Sequence, residues 1–516
     1  MLTRSISAAA LAISVLGPGS FSATAQEPVA ITLEGYRFEG VTLYDEAALL
    51  SFATGSLIAS GASVTPRGVA DIVEQVYRED GYFLAEVTAR PAPGGGVRLS
   101  VYEGRIGEIS IEGAEPRMAA AVRRYIAPLA REPVARLDTF ERALMLSDDL
   151  SGAGVEAEID YPAPDADARL RLVVTETASQ SGSLSVDHSP RRIGKTLDLH
   201  LSQEFYSSAV AGDFLGLDAF ANSDFELEDD FTLFGSLRYR APVGAGGAYA
   251  EGYASNLTAR RGASGSFAET EIDGETYALA FGYPFIRNIH GYGYGILDIR
   301  RSSSVSRVPG EEIESAVDVV GATYVHGHSF DRGGSLEAAV NLSFGQHRAL
   351  TPGIDDGDAD FWHLRAGIGY EAPLDRWVEN AALRAELIAQ YTTSRLPGVE
   401  EFYLGSADSL RGYRFDEADG DSGLGGSVEV SQTIYPASGG IDRLTPYGFV
   451  DFGYIENNDP GAFEQDSTSL ASVGLGLEAV FGRVNEVDMY VGVPLADGPV
   501  TAAGDPAVYL RYTRSW

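Results

Sequence analysis

The side chains able to do chemistry are few, and their spacing serves catalysis poorly. Seven histidines are scattered through 516 residues, and the nearest to a ligand pair is His326-x-His328, with no carboxylate at ligand spacing beside it. Glu400 and Glu401 suggest paired carboxylates, but adjacent residues of an extended segment turn their side chains apart rather than across one bond. No Gly-Lys-Ser/Thr loop is present to cradle phosphate, so nucleotide use has no support. The chain holds no cysteine, which removes disulfides, thiolate chemistry and Cys-ligated metals. No catalytic residue, metal or cofactor is expected, and the sequence is read as that of a non-enzyme. The 74 acidic against 38 basic residues give a net charge of −36, too acidic for a phosphate-binding face, so nucleic acid is excluded as a partner. The acidity is read as solvated loops and a polar interior.

The function must then lie in what the elements build. Arg4, the apolar run Ile6 to Leu16 and the small-residue pattern Ala23-Thr24-Ala25 predict a signal peptide over 1–25 and an exported chain. Beyond it no stretch of about 18 or more apolar residues offers a transmembrane helix, so only a closed barrel would span a membrane. The 60 Gly, 26 Tyr, 23 Phe and 44% hydrophobic content suit alternating lipid-facing and water-facing residues.

Residues 26–178 read as mixed helix and strand, twice over. In the first pass a strand ends in Phe38-Glu39-Gly40-Val41, and helices follow at Asp45 to Ala53 and Pro66 to Arg78. A strand at Tyr82 to Val87, a turn at Pro91 to Gly96 and a strand at Val97 to Tyr102 complete it. The second pass runs from a strand at Arg105 to Gly113 through helices at Pro116 to Tyr125 and Thr139 to Leu150. It ends in strands at Val155 to Tyr161 and Ala168 to Glu176, separated by the turn Pro162 to Asp165. The shared β-α-α-β-β order predicts two copies of one small α+β module, over 26–104 and 105–178.

From residue 179 to 516 the helical period gives way to alternation. Tyr277, Leu279, Phe281 and Tyr283 fall on one parity. So do Trp362, Leu364, Ala366, Ile368 and Tyr370, against His363 and Arg365, and Leu383, Ala385, Leu387 and Tyr391, against Arg384, Glu386 and Gln390. Apolar outside and charged inside is the pattern of a membrane barrel with a wet lumen, the reverse of a soluble sandwich. About 16 strands are expected, roughly 21 residues each with their turns. His326 and His328 are then a lumenal or loop pair. The chain closes on a strand with Tyr512 and Trp516, with Arg514 on the outward parity.

One connection, around 393–423, is too long and too structured for an ordinary barrel loop. It runs Leu396-Pro397-Gly398-Val399-Glu400-Glu401-Phe402-Tyr403-Leu404-Gly405, then Ser409-Leu410-Arg411-Gly412-Tyr413 and Asp421-Ser422-Gly423. Its Leu410-Arg411-Gly412-Tyr413 core resembles the (Val/Leu)-Arg-Gly-(Phe/Tyr) motif of the lumen-inserted loop in POTRA-barrel transporters. Downstream, Phe449-Val450-Asp451-Phe452-Gly453 resembles the wall motif that receives it, with Phe449, Asp451 and Gly453 as its key positions. Asp187-His188-Ser189-Pro190, Gly194 and Ala211-Gly212-Asp213-Phe214-Leu215 resemble the opening barrel strands of the ShlB/FhaC/HecB haemolysin-secretion branch. The joints Gly81-Tyr82-x-x-Ala85 and Tyr102-Glu103-Gly104-Arg105-Ile106 resemble those of its two POTRA domains. The terminal Tyr512 to Trp516 resembles the signal read by the barrel-assembly machinery.

The resemblance implies an outer-membrane transporter with periplasmic POTRA domains that recognises an unfolded, adhesin- or cytolysin-like exported partner and moves it to the cell surface without nucleotide hydrolysis. Its other partners would be outer-membrane lipid and, during biogenesis, the barrel-assembly machinery. It also implies that Arg411 pairs with Asp451, where a planar, bidentate guanidinium–carboxylate pair fixes orientation better than Lys. Gly412 would allow the tight turn and Tyr413 would supply an aromatic body with a hydroxyl. One departure is that only Gln26 to Ala30 separate the expected cleavage site from the first strand, leaving no room for the helix that commonly plugs such barrels. Two other readings compete. One is an insertase or assembly factor of the same superfamily, which typically carries three or more modules; the other is a passive porin, which needs neither the modules nor the loop.

Overall fold

The protein is represented by a computed structural model. It describes residues 33–516 apart from 62, 94, 162–165, 177, 189–196, 224–230, 263–268, 350, 352–356, 407–408, 438 and 461–464. The expected signal segment, residues 26–30, the Pro162 to Asp165 turn, Ser189, Pro190 and Gly194 lie outside the described residues. The described chain divides into two units. The first ends at Glu103, and the second holds Gly81–Phe83 and Gly104–Trp516.

In the first unit, β1 (Tyr36–Glu39), α1 (Glu46–Ser60), α2 (Pro66–Glu79), β2 (Glu86–Pro91) and β3 (Val97–Tyr102) follow in that order. The sheet order is β1-β3-β2, with β1 parallel and β2 antiparallel to the central β3. Asp45 caps α1 by accepting from the Ala48 amide at 3.0 Å, and Thr65 caps α2 through Gly68 at 3.0 Å. Leu49, Leu57, Val69, Val73, Tyr77 and Leu99 meet in the core. Two expectations shift. Helix α1 continues past Ala53 to Ser60, because Leu57 adds another buried turn. The strand expected from Tyr82 begins only at Glu86 and takes in Pro91, because Tyr82 and Phe83 instead pack on Arg136 and Phe140 of the second unit.

The second unit opens with the same pattern: β4 (Ile106–Glu112), α3 (Pro116–Ile126), α4 (Leu137–Asp148), β5 (Ala153–Asp160) and β6 (Ala168–Glu176), in sheet order β4-β6-β5. Gly40 and Gly113, each just after the first strand of its module, sit at φ +90° and +82°. A Cβ there would come 2.2 and 2.4 Å from the carbonyl oxygens of Val101 and Val174. The two modules thus repeat the same close approach of backbone to sheet. Within this unit the end of α4 is fastened to the barrel. Asp149 accepts from Nε and Nη2 of Arg287 at 2.8 and 2.6 Å, and Arg142 donates to the carbonyls of Gly246 and Pro284 at 3.0 and 2.7 Å.

The rest forms a closed antiparallel barrel of sixteen strands. They are β7 (Gln180–His188), β8 (Leu197–Tyr206), β9 (Phe214–Ser223), β10 (Phe231–Val243), β11 (Ala248–Arg261), β12 (Thr270–Asn288), β13 (Gly291–Val308), β14 (Glu311–Ser329), β15 (Ser335–Ala349), β16 (Asp360–Pro373), β17 (Ala381–Tyr391), β20 (Ser422–Gln432), β21 (Arg443–Glu456), β22 (Ser467–Phe481), β23 (Asn485–Pro494) and β24 (Ala507–Ser515). Between β17 and β20 a small separate hairpin, β18 (Phe402–Leu404) with β19 (Ala418–Gly420), belongs to the long loop. The barrel closes where β24 pairs with β7, and there Trp516 and Gly182 exchange backbone hydrogen bonds of 3.0 and 3.1 Å.

The period-2 pattern sorts the two faces. Leu279, Phe344 and Leu475 point outward and are 62%, 59% and 73% exposed, an apolar girdle that a water-soluble surface does not carry and a bilayer covers. No helix among the described residues is long and apolar enough to cross a membrane. Arg514 is exposed on the outward parity, and Trp516 lies over Gly182, its indole donating to Gln203 at 3.2 Å. His326 and His328 are not lumenal. They share the parity of outward Tyr324, and their rings pack with Tyr324 and Phe330 in the outer aromatic belt.

Candidate functional site: the lumenal loop

The loop leaves the barrel after β17 and turns back inside it. Its base is pinned by Asp421, which accepts from the amides of Leu396 and, at 2.7 Å, Asn458. The β18–β19 hairpin carries a tip that bends through Leu410 at φ +55° and Gly412 at φ +98°. Leucine pays for a left-handed backbone only when its side chain is firmly placed, and Leu410 is fully buried with Phe402, Leu404, Tyr413, Ile455 and Leu470.

Each position of the two expected motifs has a visible task. The Arg411 guanidinium meets Asp451 in a bidentate pair, Nε and Nη2 each at 2.9 Å, and its backbone amide donates to the same carboxylate at 2.9 Å. Nη1 reaches Glu429 at 2.6 Å and Nη2 reaches Ser427 at 3.0 Å, so β20 and β21 both hold the tip. Phe449 lies beneath the guanidinium, 3.5 Å from carbon to ring centroid, a cation–π contact in a water-poor place. Gly453 leaves room for the loop: a Cβ there would come within 2.6 and 2.7 Å of Leu404 and Leu410. Gly412 lies flush on β23, where a Cβ would meet the Gly492 carbonyl carbon at 2.8 Å. The Tyr413 hydroxyl sits between the carbonyls of Ala471 and Ala496, at 2.9 and 2.8 Å.

Among the described residues the hydrogen bonds that tie the loop to the barrel strands use side chains, the backbone pairs of its hairpin and tip are internal, and one backbone bond, from the Asp358 amide to the Arg395 carbonyl at 2.8 Å, joins its start to the connection before β16. Sequence reasoning missed a second attachment. Glu400, dismissed there with Glu401, is fully buried and accepts from Arg300 of β13 at 2.6 and 2.8 Å and from His363 of β16 at 3.1 Å. Arg365 and Gln390 donate to its carbonyl at 2.8 and 3.0 Å. The only signal for it was the inward parity of His363, Arg365 and Gln390, which left three polar side chains in the lumen needing a partner.

The other expected positions lie elsewhere. Gly81 and Gly104 sit at positive φ where each module turns, and their carbonyls accept from Leu137 and Ala135 at 2.8 and 2.9 Å. Ala85 is buried, and Tyr82 lies under the Arg136 guanidinium, 5.6 Å from ring centroid to carbon. Glu103 is a buried carboxylate that receives the Thr42 hydroxyl, the amides of Thr42 and Leu43 at 2.7 and 3.0 Å, and the Tyr77 hydroxyl at 2.9 Å. Burial pushes its pKa up, but these donors outweigh it and hold Glu103 below the usual carboxylate range. At the barrel seam Asp187, Asp198 and His200 bring ligand atoms within 4.8 Å of one another. Asp187 is already engaged by the Tyr509 hydroxyl at 2.8 Å and by Arg511 at 2.9 Å, so protein donors supply the compensation there.

Comparison with known proteins adds the family. The model of the haemolysin secretion/activation protein family ShlB/FhaC/HecB matches residues 167–479. Among solved structures, CdiB from Escherichia coli superposes with a TM-score of 0.73 at 19% identity, over 93% of this chain and 90% of that one. CdiB from Acinetobacter baumannii gives 0.70 at 16% identity, over 94% and 90%. BamA from Haemophilus ducreyi, lacking its POTRA domains 1–3, gives 0.54 at 14%, over 93% and 99%. No curated protein matches the sequence significantly. With a matching family model over more than half its length and a sixteen-stranded barrel behind two small α+β modules, the chain belongs to the ShlB/FhaC/HecB family of outer-membrane, POTRA-barrel transporters of two-partner secretion.

Proposed function

We propose that the two modules lie in the periplasm, receive an unfolded exported partner, and pass it through the barrel to the cell surface without nucleotide hydrolysis. The observation that carries this reading is the way the lumen is filled. The loop is secured by Arg411–Asp451 and other side-chain contacts, not by joining the wall's backbone ladder, so it can withdraw without unzipping the barrel. Recognition would fall to the module sheets, where β2 and β5 stand at sheet edges. An edge adds an extended strand through backbone hydrogen bonds and reads little side-chain identity, which suits a client arriving unfolded. Folding outside would then draw the chain through. The outward girdle meets outer-membrane lipid, and the terminal strand with Tyr512 and Trp516 would serve the barrel-assembly machinery.

The test compares the medium and outer-membrane profile of cells carrying the wild type, a deletion or Arg411→Ala. Loss of one large exported polypeptide from the medium, with other barrels unchanged, is the expected result. An unchanged medium with several barrels declining together would replace secretion by an assembly role.

A further inference from the structure

The Glu400 cluster is separate from the Arg411 site: β13 and β16 hold its carboxylate and β16 and β17 its carbonyl, whereas β20 and β21 hold Arg411. Counting along the barrel from β13, which supplies Arg300, to β21, which supplies Asp451, the strands β14, β15, β16, β17 and β20 intervene. The two attachments share no partner. Arg411 is held by Ser427, Glu429 and Asp451, and Glu400 by Arg300, His363, Arg365 and Gln390.

The cluster is built to hold a carboxylate. Glu400 is 1% exposed and His363 fully buried. Because a carboxylate only accepts, the His363 hydrogen must sit on Nε2, leaving Nδ1 without a hydrogen-bond partner. Arg300 closes the site with one nitrogen shared between both carboxylate oxygens, and Arg365 stands 3.7 Å from Oε2. Beside it Leu396 completes an apolar floor with Val317, Val319 and Phe361. Withdrawing Glu400 would leave two guanidinium groups facing each other with no anion between them, so the wall itself favours the loop in place.

We propose that Glu400 is a second positioning residue of the transport cycle, a clasp on the β13–β16 wall that must open separately from the Arg411 tip before the lumen clears. The inference rests on the transport reading above. It makes the loop a strap fastened at two points, so that release of the tip alone exposes only part of the lumen.

The test is the conductance of the full-length protein in planar bilayers, with heat-modifiable gel mobility confirming a folded barrel. Glu400→Gln keeps the shape and removes the charge; Arg300→Met removes a half-exposed wall partner and serves if the loop variant fails to fold. Each is expected to raise channel opening several-fold. Because both break one contact, the double variant should open no more than the stronger single, whereas Glu400→Gln combined with Arg411→Ala should multiply the two effects. A packing role would not produce that pattern of coupling. Wild-type conductance in Glu400→Gln, with Arg411→Ala open, overturns the clasp and leaves the transport reading intact. If neither single variant opens the channel, the clasp fails together with occlusion by the loop, and the secretion assay judges transport by itself.

Discussion

In the first N-terminal module Leu57, Val69, Val73, Tyr77 and Leu99 enclose an apolar core that admits one carboxylate, Glu103, whereas the lumenal loop buries Glu400, Arg411, Glu417 and Asp421 around a small apolar cluster. The difference follows from what each part is surrounded by. A module closes around its own apolar core, where burying apolar surface is the main stabilising force and carries no directional demand. The loop lies in a polar lumen where apolar burial is limited, so its place is specified by directional, charge-assisted contacts. Such contacts weaken together when geometry is lost and re-form when it returns. In the proposed transport cycle they suit a part that lets go, as an apolar core suits a part that stays folded.

The largest effect is expected at the tip. Arg411→Ala leaves Asp451 buried without its cation, a loss of about 3–5 kcal/mol of loop attachment for breaking a buried pair; secretion should stop and bilayer conductance rise. Unchanged conductance would mean that the apolar cluster alone holds the loop. Next, Leu99→Ala should cost about 2–5 kcal/mol in the module core. Secretion falls while conductance stays at the wild-type level, and an open channel in this variant would mean that the module core also holds the loop in place. Gly453→Val should displace Leu404 and Leu410, loosening the loop by about 1–3 kcal/mol of overpacking, read as intermediate conductance with normal barrel gel mobility.

The smallest effect concerns Glu103. Its pKa is held down in the folded module, so its contribution is fully present above the unfolded carboxylate value, about 4.3, and is lost as pH falls through the lower folded value. Protection of the Thr42 and Leu43 amides, read by exchange and mass spectrometry against the intrinsic rate at each pH, should fall in acid in the wild type. Glu103→Gln should already be loosened at neutral pH, by about 1 kcal/mol, with a flatter acid response. Equal acid slopes would show that the carboxylate does not support the module.

Sequence alone went far where one side chain answers to one local rule. The outward parity of Tyr277 to Tyr283 followed from alternation, because lipid and lumen make opposite demands on neighbouring residues. Module boundaries blurred where local pattern met tertiary packing: Tyr82 and Phe83 alternate like a strand but pack on Arg136 and Phe140 instead. The face of His326 and His328 is hidden from local pattern for a related reason. On β14 the inward residues Val317 and Val319 are themselves apolar, since Leu396 of the loop covers them, and with apolar side chains on both parities the strand does not declare which face is wet.

What the residues determined by themselves was the strand period, the repeated module, the loop's length and the Arg411 and Asp451 motifs on which the family resemblance was read. The tertiary structure alone decided where the loop's charges go. Glu400 meets Arg300 across a hundred residues and His363 across thirty-seven, and those separations carry no local signal. Barrel closure and strand register bring two strands to one carboxylate, and only there does a buried glutamate become favourable, because its charge is matched by donors that no neighbouring residue supplies.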